Sequence, residues 1–139
     1  MAFSTAFLAW LKSGFAQLRQ ILSEDQKCYR HRFLVKSGKS YKYLSAGEIA
    51  WFAAEEGIVF AFLKSGGRWI IDDNITDLNR ELDPEKYFQI NRSTIIHIDA
   101  IDKISDYFNR RLMVRLLPGN HGVIVSRERV ADFKNWLNK

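Results

Sequence analysis

The sequence is poor in cysteine and histidine, two residues from which disulfides, metal sites and nucleophilic active sites are often built. Its 139 residues include a single cysteine, Cys28, so no disulfide can form within the chain, which is typical of a reducing compartment such as the cytoplasm. The histidines His31, His97 and His121 are far apart, and none has the spacing of a metal-binding motif. We therefore expect a cytoplasmic protein without a metal, a cofactor or an enzymatic activity.

Long hydrophobic runs are also missing. Charged residues interrupt every apolar stretch before it reaches the roughly 20 residues of a membrane-spanning helix, so we expect no membrane partner. The opening residues, MAFSTAFLAWLKSG, lack a basic stretch ahead of their apolar residues, which argues against a cleaved signal peptide. What is present is 47% hydrophobic and 14% aromatic residues, the composition of a folded domain with one core.

Charge is unevenly distributed around a net of +5. Residues 27–42 contain six Lys or Arg and no acid, residues 72–85 contain six acids and one Arg, and residues 110–129 contain five Arg and one Glu. Two basic segments therefore flank an acidic one, which predicts a polarised surface and an acidic partner if folding brings the basic segments together. Solvated faces of an ordinary basic protein explain the same pattern, so that alternative stays open.

The most regular helical pattern lies at residues 3–22. Its apolar residues recur at three- and four-residue steps: Phe3, Phe7, Leu11, Phe15, Leu18 and Leu22. The stripe would either pack on the domain's own core or form a connecting or self-association helix. We favour the second, because SEDQK at residues 23–27 separates the stripe from the rest of the chain. This divides the chain into an amphipathic connecting helix with its linker at 1–28 and a domain at 29–139.

From residue 29 onward the pattern is mainly that of strands. HRFLVKSGKSYKYLS predicts two strands around a turn at Ser37-Gly38, and EIAWFAAEEGIVFAFLKSGGRWIID predicts three more. NITDLNREL predicts a short helix capped by Asn74, and SRERVADFKNWLNK predicts a C-terminal helix capped by Ser126. Further strands are expected at 87–90, 94–97, 101–107, 112–116 and 123–125. The predicted fold is mainly β, with antiparallel sheets, helices at both ends and one helix in the middle.

Polar residues interrupt the apolar, β-branched stretch QINRSTII at residues 89–96. A buried strand does not carry a guanidinium in its middle, so Arg92 is expected in a break between strands. Arg127 is expected in the first turn of the C-terminal helix, where anions are favoured. Both side chains have the forked donors that suit phosphates or the O6/N7 edge of guanine. Taken singly, each also fits an ordinary surface arginine.

Taken together, these segments resemble the LytTR-type DNA-binding domain of bacterial response regulators. The segment LDPEKYFQINRSTIIHIDAIDKI is similar to the family's pattern Phe-x-x-x-x-Arg-Ser-x-x-Val-Asn-x-x-x-Ile, and VIVSRERVADFKNWL is similar to its closing Val-Ser-Arg segment. GEIAWFAAEEGIVFAFLKSGGRWIIDDNITDLNREL resembles the strands and connecting helix that precede them. The resemblance runs from about Tyr29 to Leu137, and the order and spacing of its three pieces make it specific.

The resemblance implies elongated antiparallel sheets that bind double-stranded DNA with loops, which enter successive major grooves and the minor groove between them. The implied base contacts are Asn91, Arg92 and Arg127. The implied backbone contacts, or helix caps in the last two cases, are Ser93, Ser126 and Arg129. Two lysines of the first basic segment would add phosphate contacts if they face the DNA: Lys36 and Lys39.

Two positions depart from the family's pattern. Its first loop often supplies a further base contact, but here the loop is Glu55-Glu56-Gly57, in which two acids repel phosphate. Either a Glu accepts a hydrogen bond from a cytosine amino group, or this loop contributes little. His97 stands where the family commonly has Asn, and its place in an alternating strand predicts a structural hydrogen-bonding residue rather than a ligand.

The sequence therefore predicts a sequence-specific DNA-binding domain of a bacterial transcription regulator of the two-component type. Regulators of this type carry a receiver domain before the DNA-binding module, and 28 residues are too few to form one. We expect the receiver domain or a sensor partner to lie outside this chain and the N-terminal helix to mediate self-association. The alternative is a protein-interaction or dimerisation module that kept the fold and lost specific DNA binding.

Overall fold

The computed structural model describes residues 28–139, which contain ten strands and two α-helices. In chain order they are β1 (Arg32–Ser37), β2 (Ser40–Ser45), β3 (Ile49–Glu55), β4 (Ile58–Leu63), β5 (Arg68–Ile71), α1 (Ile75–Glu81), β6 (Tyr87–Asn91), β7 (Thr94–His97), β8 (Ile101–Tyr107), β9 (Arg111–Leu116), β10 (His121–Val125) and α2 (Val130–Leu137). The helix predicted at residues 3–22 lies outside the described residues.

The strands form three antiparallel sheets. The central sheet has five strands in the order β5-β4-β3-β7-β6, and a second sheet has three in the order β10-β9-β8. Strands β1 and β2 form a separate hairpin. Every paired strand runs antiparallel to its neighbour, which short connections permit. The predicted mainly β fold is confirmed.

Both faces of the central sheet are covered, so the described residues contain two cores where the sequence predicted one. Ile49 and Phe52 of β3 face the first core, whereas Ala50 and Trp51 face the second. The register shifts between Ile49 and Trp51, and this bulge lets two consecutive side chains point to the same face. A strand that is buried on both faces reads as a nearly continuous apolar run, which explains the composition of EIAWFAA.

Each core has its own covering layer. The β1–β2 hairpin and helix α1 cover the first core with Phe33 and Leu78, neither of which is exposed. The three-stranded sheet and helix α2 cover the second core with Val114 and Phe133, which are also fully buried. The central sheet is therefore the middle of three layers.

Most local predictions are confirmed, with two corrections. The predicted cap of α1 is present, because the Asn74 side chain accepts a hydrogen bond of 2.8 Å from the Asp77 amide. The turn of the first hairpin is Gly38-Lys39 rather than Ser37-Gly38, since Ser37 pairs with Ser40. The prediction that Ser126 caps the C-terminal helix is wrong, and its physical reason is given with the interface below. Within residues 28–139, no helix is long and apolar enough to cross a membrane.

His97 has the structural role that the sequence predicts. It is 4% exposed, and its Nδ1 accepts a hydrogen bond of 3.0 Å from the Asp99 amide, so that nitrogen carries no proton. Burial lowers the pKa of His97 below its usual 6.5, and the nearby positive charge of Lys64 lowers it further. Protonation would remove the acceptor and place a positive charge at a buried position close to Lys64 and Lys86.

We expect stability to decrease on mild acidification because of this residue. The folded protein binds the His97 proton less readily than the unfolded chain, so its contribution is complete above about pH 6.5 and is lost as the pH falls below that value. In His97→Asn, the side-chain oxygen accepts the same hydrogen bond without titrating. Chemical denaturation from pH 7.5 to 5 should show a smaller decline for His97→Asn than for wild type. His31→Asn, at an exposed site, should retain the wild-type decline; equal slopes for wild type and His97→Asn would contradict the assignment.

Candidate nucleic-acid interface

The polar interruption of QINRSTII forms a tight turn between β6 and β7. Asn91 pairs with Thr94, which leaves Arg92 and Ser93 as the turn. The side-chain oxygen of Asn91 accepts hydrogen bonds from the backbone amide of Ser93, at 2.9 Å, and from its hydroxyl, at 3.1 Å. Such a local side-chain bond fixes a turn in one conformation. The position of Arg92 is therefore set by its two neighbours.

Three hydrogen bonds attach this turn to the connection between β10 and α2. The Asn91 side-chain amide donates to the Ile124 carbonyl at 2.8 Å. The Ser126 amide donates to the Ile90 carbonyl at 2.9 Å, and the Arg129 guanidinium donates to the Gln89 carbonyl at 3.2 Å. We call these three bonds the β6 clamp. Because of the clamp, a turn of the central sheet and the end of the three-stranded sheet lie side by side.

The connection that the clamp holds differs from the predicted start of a helix. A 3₁₀ turn at Arg127–Arg129 precedes α2, which begins only at Val130. The Ser126 side chain makes no cap hydrogen bond; instead, its backbone amide is used in the clamp. Arg127 therefore lies before the α-helix rather than in its first turn, and the anion preference of a helix N-terminus does not apply to it.

A third turn, between β3 and β4, is attached to the same end of the central sheet. The Ala54 amide donates to the Ser93 carbonyl at 2.8 Å. Glu56 and Gly57 both have positive φ angles, 52° and 81°, as the type I′ turn of a two-residue hairpin requires. The Glu55 carboxylate lies 3.4 Å from the guanidinium of Arg68, so one of the two acids has a cationic partner.

The two predicted base-reading arginines differ from the residues around them. Arg92 and Arg127 are exposed, and neither side chain makes a hydrogen bond or ion pair with any residue in 28–139. Asn91, Ser93 and Arg129 are half-buried and hydrogen-bonded within the protein. The structure thus brings the predicted residues of these turns together. Two of them are exposed cations without a partner among the described residues, and the other three make hydrogen bonds that hold the turns.

Sequence reasoning did not single out a further cation at this end of the three-stranded sheet. Leu112, near the start of β9, pairs with Val125, the last residue of β10. The β8–β9 turn and Arg127 therefore lie at the same end of the three-stranded sheet. Arg110 in that turn is exposed and unpaired among the described residues, and its φ of 62° is in the left-handed region. Its place in the second basic segment indicated a possible contact with an anion, but only the strand register shows at which end of the sheet it lies.

The lysines of the first basic segment lie elsewhere. Lys36 and Lys39 are exposed on the β1–β2 hairpin, whose strand β1 packs beside β5. Strands β5 and β6 are at opposite edges of the central sheet, four strand spacings or roughly 19 Å apart. The hairpin of the first basic segment covers the first core, whereas β9 and β10 of the second basic segment cover the second core. The two basic segments therefore lie on opposite faces of the central sheet, and folding does not bring them together.

The chemistry of the clamped end is that of an anion-binding surface. Unpaired guanidinium groups on short turns, held by buried hydrogen bonds, are suited to phosphate oxygens and to guanine edges. Turns that project from antiparallel strands can enter a groove of a duplex without a recognition helix. A β-sheet fold with unpaired arginines on its turns is therefore suited to binding nucleic acid.

Comparison with known proteins gives the family. A family model described as the LytTr DNA-binding domain matches residues 39–138, so the chain belongs to the LytTr DNA-binding domain family. The chain is similar in structure to a LytTr DNA-binding domain from Bacillus cereus, with a TM-score of 0.70 over 79% of this chain and 99% of that one. Their sequences are 12% identical, so this likeness shows the fold alone.

Two curated relatives extend the comparison. The chain is 26% identical over 91 residues to the transcriptional regulatory protein YpdB of Escherichia coli, covering 66% of this chain and 37% of that protein. It is 23% identical over 112 residues to an uncharacterized response regulatory protein of Vibrio cholerae, covering 78% of this chain and 42% of that one. The chain therefore spans about two fifths of the length of these relatives.

We expect the hydrogen bonds of the Asn91 side chain to contribute to the stability of the folded domain. Asn91→Ala removes the bond to Ile124 and both bonds to Ser93, and it leaves half-buried polar groups unpaired, which should lower the free energy of unfolding by about 1–3 kcal/mol. Ser93→Ala removes only the hydroxyl bond and should cost clearly less. Urea denaturation measures both. If Asn91→Ala is as stable as wild type, the clamp does not hold the two sheets in register.

Proposed function

We propose that this chain binds double-stranded DNA in a sequence-specific manner, as the output domain of a bacterial transcription regulator. The carrying observation is that two exposed arginines without a partner in residues 28–139, Arg92 and Arg127, lie on turns that the β6 clamp joins. A guanidinium that is not paired within the protein can bind a base edge or a phosphate without first losing a partner. Its rigid turn also reduces the entropic cost of binding.

The proposal assigns different roles to the predicted contacts. Arg92 and Arg127 read base edges as their turns enter successive grooves. Asn91 contacts no base but positions Arg92, because its oxygen already accepts two hydrogen bonds and its amide already donates one. Ser93 and Arg129 support the turns in the same way. This changes the roles that the resemblance implies for Asn91, Ser93 and Arg129 from contact to support.

Phosphate contacts come from cations around the two reading turns. Arg110 lies at the same end of the three-stranded sheet as Arg127, which makes it the nearest source of such a contact. Lys36 and Lys39 would reach the backbone only of DNA that extends past the opposite edge of the central sheet. The net charge of +5 favours association with the polyanion.

The β3–β4 turn contributes little in this proposal. Glu55 is paired with Arg68, and that neutralises part of the repulsion that two acids would exert on phosphate. Glu56 is exposed, and it is the one of the pair that is free among the described residues. If this turn reads a base, Glu56 accepts a hydrogen bond from a cytosine amino group. Glu56→Gln should then relax the preference at one position of the bound sequence.

The chain's relatives carry the words response regulatory and transcriptional regulatory in their names. On that basis we propose a cytoplasmic protein that receives its signal from a receiver domain or sensor partner outside this chain. Self-association through the N-terminal helix stays a prediction from the sequence, and docking of that helix within its own chain is the alternative proposed below. The helix lies outside the described residues. The competing function, an interaction module without specific DNA binding, predicts no discrimination between duplex sequences.

Binding measurements should distinguish the role of Arg92 and Arg127 from that of the surrounding cations. On a duplex selected from a random pool, Arg92→Ala and Arg127→Ala should each weaken binding by about 1–3 kcal/mol. On a scrambled duplex both should lose much less, because other cations still contact phosphate. Lysine at either position should restore only part of the affinity, since an ammonium lacks the planar donor fork. Melting temperatures should not change, because both side chains are exposed.

Arg80→Ala provides the matched control, because Arg80 is an exposed arginine of α1 on the side of the first core. It should leave affinity for both duplexes unchanged. Equal losses on the selected and scrambled duplexes would make Arg92 and Arg127 phosphate contacts. No loss on either would remove them from the interface and favour the interaction-module alternative.

Salt should weaken binding in a predictable way. Phosphate contacts release counterions, so the logarithm of the association constant should fall linearly with the logarithm of salt concentration. Arg110→Ala should reduce the slope by about 1, and Lys36→Ala or Lys39→Ala should do so only if the duplex reaches the hairpin. Titrations on short and long duplexes measure this difference. An affinity that does not depend on salt would contradict DNA binding.

A further inference from the structure

The outer face of the β1–β2 hairpin is apolar and uncovered among the described residues. Phe33 pairs with Leu44, and both are buried in the first core. The next pair, Leu34 with Tyr43, therefore points outward, and so does Tyr41 two residues along. Leu34, Tyr41 and Tyr43 are 66%, 64% and 63% exposed. Three adjacent large side chains on one face form a patch, which is unusual for a surface without a partner.

The first of the described residues lie close to this patch. Tyr29 and Tyr43 line the same cavity of 570 Å³, so the chain reaches Cys28 beside one end of the outer face. Residues 23–31 connect the apolar stripe at 3–22 to strand β1. Nine residues span at most about 30 Å, which keeps the stripe within reach of the hairpin.

We propose that the segment at residues 3–22 docks through its apolar stripe on the outer face of the β1–β2 hairpin of the same chain. As a helix, twenty residues would be about 30 Å long, enough to cross a hairpin whose six-residue strands are about 20 Å long. The covalent connection holds both apolar surfaces at high effective concentration. This inference is independent of DNA binding.

Charge favours the chain's own segment over a second copy of the hairpin. The outer face and turn of the hairpin carry Arg32, Lys36 and Lys39 and no acid, whereas the Lys42 ammonium lies over the Trp69 ring on the inner side. Two hairpins placed face to face would therefore bring like charges together. Residues 1–26 contain two cations and two acids, Lys12, Arg19, Glu24 and Asp25. A nearly neutral segment covers the basic hairpin without that repulsion.

Hydrogen exchange of the full chain, read by mass spectrometry at low and high protein concentration, tests the proposal. The test variant is Leu34→Ser with Tyr43→Ser, both at exposed positions. The matched control is Ile70→Ser, which replaces a 60% exposed apolar side chain of β5. Ile70 points away from the first core, because its neighbour Ile71 is buried there. Unchanged melting temperatures would show that all variants are folded.

We expect the amides of residues 3–22 to be protected equally at both concentrations. Exchange should become about tenfold faster or more in the double variant, because two apolar contacts are lost, and should not change in Ile70→Ser. Protection that appears only at high concentration would show pairing with a second copy and overturn the proposal. Unprotected amides, or protection that is insensitive to the double variant, would overturn it as well.

Discussion

The arrangement of the interface depends on the β6 clamp, the three hydrogen bonds that join the last residues of β6 to the β10–α2 connection. The turn that carries Arg92 belongs to the central sheet, and the turn that carries Arg127 follows the last strand of the three-stranded sheet. Apolar packing in the core between these sheets fixes the distance between them, but it constrains the alignment of their ends less. Hydrogen bonds are directional, so the clamp supplies the register. Without it, the two turns that carry Arg92 and Arg127 would have no fixed relative position.

The three layers also place the charged segments on different sides of the central sheet. Two carboxylates of the acidic segment, Asp73 before helix α1 and Glu81 at its end, bind the guanidinium of Arg30. The first basic segment is thus partly neutralised where it meets the first core. Arg110 and Arg127, in the second basic segment, have no such partners among the described residues. Net charge alone would not single out this end of the molecule, whereas the absence of ion pairs there supports the proposed DNA-binding surface.

Local patterns in the sequence predicted the strands, the Asn74 cap and the break at Arg92, because each depends on residues close together in the chain. They did not predict two cores, since the bulge at Ile49–Trp51 depends on pairing with another strand. Ser126 fits the pattern of a cap, but its backbone amide bonds to Ile90, a contact distant in sequence. The family resemblance implied Asn91 as a base contact. Its bond to Ile124, a contact distant in sequence, instead supports the positioning role proposed above.

We propose that the clamped turns are the surface that binds DNA. Nuclear magnetic resonance of the amide groups, with a selected duplex added in steps, distinguishes this surface from the others. The largest shifts should occur at residues 91–93 and 126–129, with smaller shifts at the β8–β9 turn, and a scrambled duplex should produce weaker shifts at the same places. Shifts confined to the β1–β2 hairpin or to helix α1, with the clamped turns unaffected, would contradict it.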